Sequence, residues 1–88
     1  MITEKFSIDF PFQVENGALI ISIRADVEPD PISDSYHVTN FRLCSSPKKN
    51  VLPDVHLKRL HDRWVHVDSE KETYLSLQAG KAIDAHNL

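Results

Sequence analysis

Glycine occurs twice and cysteine once in this chain of 88 residues. Two separated glycines, Gly17 and Gly80, cannot build a phosphate-cradling loop or a dinucleotide fingerprint. A lone Cys44 excludes an intramolecular disulfide and fits a reducing compartment. No apolar run approaches the ~20 residues of a membrane helix. The start, MITEKFSIDF, lacks a basic stretch followed by a continuous apolar one, so no secretory signal is read. There is no basic excess either: the formal net charge is −3, which argues against a general nucleic-acid binder. Repeats and low-complexity segments are missing. A cytoplasmic protein that does not enter a membrane is expected, with residues 1–88 forming one domain.

What is present is an ordinary share of hydrophobic residues, 41%, arranged with clear periodicity. Phe6, Ile8, Phe10, Phe12 and Val14 alternate with polar residues. Leu19, Ile21, Ile23, Ala25 and Val27 do the same. Both runs read as half-buried strands joined at Asn16-Gly17. A reversal centred there sets Val14 against Leu19, Phe12 against Ile21, Phe10 against Ile23, Ile8 against Ala25 and Phe6 against Val27. The other face then matches Asp9 with Arg24 and Lys5 with Glu28. A slip of one residue would lose all of these matches together.

Pro11 interrupts this hairpin, because it has no backbone donor. With a loop spanning Glu15 to Ala18, its nitrogen points away from the second strand. That is tolerable where the first strand is a sheet edge or is bulged. The edge reading is preferred.

EPDPISDS (28–35) reads as a loop and SYHVTNFRLCS as a third strand. In the third strand, Tyr36 and Val38 have one parity and Phe41 and Leu43 the other, so a bulge near Thr39-Asn40 is expected. SSPKKNVLPD reads as a second loop. Residues 55–67 carry both helical spacing and strand-forming residues, and a hairpin turning near His61-Asp62-Arg63 is favoured. In DSEKETYLSLQAGKAIDAH, Ser69 and Glu72 match a capping box, and Leu75, Ala79, Ala82 and Ile83 form one apolar stripe. Gly80 weakens such a helix by about 1 kcal/mol and suggests a close approach. The expected fold is α+β: a single antiparallel sheet of four to five strands, N-terminal hairpin first, with one C-terminal helix on its apolar face.

The search for chemistry yields little. His56, His61 and His66 have the spacing H-x4-H-x4-H. On a helix that separates neighbours by about 140°, and on a strand it alternates faces. No zinc motif supplements it, so surface histidines, His37 and His86 included, are the simpler reading. Cys44 lacks an activating motif and reads as a half-buried strand residue. Asp68 and Glu70 suit a helix start, and Trp64 suits the core. Lys48, Lys49, Lys58, Arg59 and Arg63 read as solvated faces. No catalytic, cofactor-binding or metal-ligating residue is expected, and no cofactor.

The leading expectation is a small non-catalytic binding or assembly module, with a protein partner or self-association. One helix covers roughly two strands, so a flat sheet of four or five would leave apolar surface bare, unless curling or a partner covers it. The alternative is a small-molecule-binding domain or small enzyme whose pocket lies between helix and sheet, lined by His37, Cys44 or Trp64.

Overall fold

The computed structural model describes residues 4–14, 17 and 19–87. The expected reversal is centred on Asn16-Gly17; Asn16 and its neighbours Glu15 and Ala18 lie outside that set. The elements are β1 (Phe6–Val14), β2 (Leu19–Asp30), β3 (Ser35–Leu43), β4 (Val55–Leu60), β5 (Arg63–His66) and α1 (Tyr74–His86). The strands form one antiparallel sheet in the order β1-β2-β3-β4-β5, with the C-terminal helix packed on it. This is the α+β architecture expected from the hydrophobic pattern.

The first hairpin has the expected register, from Phe6↔Val27 to Val14↔Leu19. Both charge pairs form as well. The Nε of Arg24 lies 2.7 Å from Asp9 Oδ1, and Lys5 Nζ lies 3.2 Å from Glu28 Oε2. β1 is an edge strand, which settles the position of Pro11. The Gln13 N–H leaves the sheet and donates to the Tyr74 hydroxyl at 3.0 Å. Residues two apart on a strand aim their amides the same way, so the Pro11 nitrogen also faces outward. On β2, the carbonyl of Ser22, which sits opposite Pro11, accepts from Cys44 N–H on the β3 side at 3.0 Å. No ladder bond is lost to the proline.

The β2–β3 loop is shorter than expected. β2 continues through Pro29 to Asp30, and only residues 31–34 turn. Pro29 is tolerated because its nitrogen faces the β1 side, where β1 has already ended. The bulge appears where the change of parity demands it. Arg24 pairs with Arg42 but Asp26 with Thr39, and the extra residue lies in β3, where Asn40 takes φ 56°. β4 and β5 form the expected hairpin around His61-Asp62, with His61 at φ 61°.

The helix start differs from expectation. Its N-cap is Thr73, not Ser69: the Thr73 hydroxyl accepts from Ser76 N–H, and the Ser76 hydroxyl accepts from Thr73 N–H. Ser69–Glu72 instead folds back on the sheet. Ser69 Oγ accepts from Lys71 N–H, Glu70 N–H donates to the His66 carbonyl, and Glu70 pairs with Lys58 at 2.8 Å. The longer Glu72 side chain could not take the role of Ser76. Ser76 is fully buried, and its hydroxyl also donates to the Trp64 carbonyl at 2.8 Å.

The backbone of α1 approaches β1, β4 and β5 but not β2 or β3. Tyr74 lies against Phe12 and Gln13, and the His86 ring stacks on Phe6 at 3.8 Å. The helix therefore runs beside β1 from end to end. A helix of 13 residues is about 20 Å long, close to the span from Phe6 to Gln13 at about 3.3 Å per residue. Because one helix meets both edge strands, the sheet must curl. The core, including Ile23, Val27, Val38, Phe41, Leu57 and Ile83, fills the inside of the curl. Among the described residues, no buried side-chain polar atom lacks a partner, and no helix is long and apolar enough to cross a membrane.

Candidate functional site

The polar outer face of the sheet gathers residues that the chain keeps far apart. β3 and β4 pair so that His37 stands directly opposite His56. Their rings stack with centroids 3.9 Å apart and planes inclined by 16°. Asp30, the last residue of β2, reaches the same place. Its Oδ1 accepts from the Ile32 and Ser33 N–H groups at 3.2 and 3.5 Å, which fixes the carboxylate across the 31–34 turn. Its Oδ2 is left 3.8 Å from His37 Nε2. One donor atom from each of Asp30, His37 and His56 lies within 4.8 Å of the others.

Ser35 lies beneath this group. Its Oγ is 2.5 Å from His56 Nε2 and 2.5 Å from Ser33 Oγ. Beside it opens a cleft of about 340 Å³ lined by His37, Thr39, Asp54, His56, His66 and Asp68. Burial holds His56 below the ordinary histidine value, and the neighbouring His37 lowers it further, against the pull of Asp30 and Asp68. Hydrogen bonding from Ser33, side chain first, holds Asp30 below the usual carboxylate range.

A serine against a histidine suggests a nucleophile and its base. Ser35, however, is only 1% exposed, so a substrate carbonyl cannot reach it. Cys44 is exposed just beyond β3, not half-buried within a strand, and its Sγ lies 3.9 Å from an Asp9 oxygen. Asp68 and Glu70 are not helix-start acids: Asp68 lines the cleft and Glu70 pairs with Lys58. Lys58 and Arg59 are both engaged by acids, Arg59 with Asp84 at 3.0 Å.

Of the three residues considered for a pocket, His37 lines the outer cleft. Trp64 is core, 4% exposed, at the wall of a second cleft of about 560 Å³. Asp34, Tyr36, Arg59, Asp84 and Asn87 complete that wall, between the end of α1 and the sheet. Cys44 lines neither cleft. Of the three histidines weighed by spacing, only His56 and His66 reach the outer cleft, while His61 is exposed in the β4–β5 turn. Asp30 and His37 were missed because their partner lies across the long 44–54 connection, whose length does not determine the β3–β4 register. The β3 and β4 periodicities, aligned pairwise, are the one signal that would have put His37 against His56.

In comparisons with known proteins, no family, no curated protein and no solved structure matches the chain.

Proposed function

We propose that the protein is a small non-catalytic binding module that works by assembly with a second copy of itself. One observation carries this reading. β3 pairs with β2 only from Ile23 onward, so the far end of the first hairpin projects beyond β3. On that arm Ile20 is 61% exposed on one face and Leu19 52% exposed on the other. Curling encloses the apolar inner face, and the arm carries two adjacent large apolar side chains that remain in water, whereas the other exposed ones, Ile32, Val51 and Tyr74, stand apart from it along the chain. A two-fold pairing through either face of the arm would bury the same side chain on both copies. It would use side-chain faces rather than strand addition, since Pro11 and the Tyr74 hydroxyl at Gln13 interrupt the β1 edge.

Light scattering over a concentration series tests this. The expected mass approaches twice 10.1 kDa and returns to 10.1 kDa in Leu19→Ser/Ile20→Ser. A monomer throughout the series refutes it. The second reading, a small-molecule-binding domain, is favoured by the cleft between Tyr36, Arg59 and Asn87, which combines an aromatic ring, an amide and an Arg59–Asp84 ion pair, with Asp34 as a second acid. A thermal-shift screen with metabolites, and loss of the shift in Arg59→Ala, would support it over assembly.

A further inference from the structure

We infer that Asp30, His37 and His56 form a binding site for a divalent first-row transition ion of the zinc class. The inference is independent of assembly and departs from the expectation drawn from histidine spacing, which weighed only His56, His61 and His66. Two imidazoles and one carboxylate are a borderline donor set. They suit zinc, cobalt, nickel or copper better than calcium or magnesium, which take mainly oxygen ligands.

The distances are close to those needed. In a tetrahedral zinc site with bonds of about 2.0–2.1 Å, donor atoms stand ~3.4 Å apart. Here the three donors already lie within 4.8 Å, so side-chain torsions alone can bring them together. The rings are stacked on directly paired strand residues, so a shared ion requires a change of side-chain torsion in at least one of them.

The supports around the site are of the kind that hold ligands. Asp30 Oδ1 is fixed by two backbone donors, which leaves Oδ2 for the ion. Ser35, 1% exposed, engages His56 Nε2, so it fixes the ring for an ion taken on Nδ1. The open side is acidic: Asp54 and Asp68 line the cleft shared by His37 and His56. With Asp30 they provide a local negative field that draws in a cation.

Equilibrium dialysis of the chelator-stripped full chain against Zn²⁺ tests this. One ion per chain is expected, with affinity reduced at least about 100-fold in His37→Asn and in His56→Asn. Co²⁺ in place of zinc should give the visible absorption of a four-coordinate site, and lose it in the histidine variants. Circular dichroism checks that the variants remain folded; Asp30→Asn, at the partly exposed end of a strand, provides a further disruption with little effect on the fold. No stoichiometric ion, or one retained at full affinity in folded His37→Asn and His56→Asn, would overturn the inference.

Discussion

Gly80→Ala should destabilise the protein, although helix propensity alone predicts the opposite. Alanine is favoured over glycine in a helix interior by about 1 kcal/mol. Here, however, a Cβ on residue 80 would come 2.0 Å from Trp64 Cγ, 2.3 Å from Cδ1 and 2.5 Å from Cδ2. Carbon contacts settle near ~3.5–4.0 Å, so the ring or the helix must move by roughly 1.5 Å. Neither is free to do so. The indole is 4% exposed, packs against Tyr36 at 5.5 Å, and donates from Nε1 to Asp84 Oδ2 at 3.0 Å. Ser76 on the helix holds the Trp64 carbonyl, which ties the two backbones together. Overpacking costs about 1–3 kcal/mol, and losing the indole hydrogen bond about 1 kcal/mol more. With the propensity gain subtracted, the net loss is about 1–3 kcal/mol. Urea unfolding followed by fluorescence reads this directly, because Trp64 is the only tryptophan. The midpoint should fall, with an altered native emission. In a Trp64→Leu background, followed by circular dichroism, Gly80→Ala should cost less or become stabilising. An unchanged or raised midpoint with Trp64 present would refute the reasoning.

Two further outcomes follow from the same packing. Thr73→Ala should cost about 0.5–2 kcal/mol by removing the helix cap, and Ser69→Ala distinctly less; equal losses in urea midpoint would mean that the helix begins elsewhere. Stability should also fall on acidification in two stages, read as urea midpoints across a pH series. His56 has a folded value below 6.5, so the unfolded chain takes up its proton first and stability declines as pH drops from 6.5 through that folded value. Asp9, held down chiefly by its hydrogen bond from Arg24, and Asp26, by Asn40 and then Arg42, lie below 3.8. Their contribution is complete above that value and is lost as pH falls through their folded values. A midpoint that is flat from pH 7 to about 3 would contradict both stages.

The first hairpin was legible because adjacent strands joined by a short turn leave one free parameter, the register. Five apolar pairs and two charge pairs all chose the same register. The bulge at Asn40 was legible for a similar reason, since a period-2 pattern shows an inserted residue directly. The helix was found from its stripe, but its first turn was misread. Ser69-x-x-Glu72 has the residue types of a capping box, whereas the Thr73–Ser76 box depends on Ser76 being buried against Trp64, which no local pattern reveals.

The candidate site was almost unreadable for the same reason. Asp30 looked like a loop acid and His37 like a surface histidine, because each gains its partners only when β2, β3 and β4 lie side by side. Sequence alone therefore determined the alternation of strands, the need for an edge or a bulge at Pro11 and the presence of a C-terminal helix. Those properties arise from backbone stereochemistry and from periods of two and about 3.6 residues. Tertiary structure alone decided the curl that brings α1 to both edge strands, the demand for glycine at Gly80, and the meeting of His37 with His56. Each of these depends on distances between segments joined by connections of undetermined path, and chain order does not encode such distances.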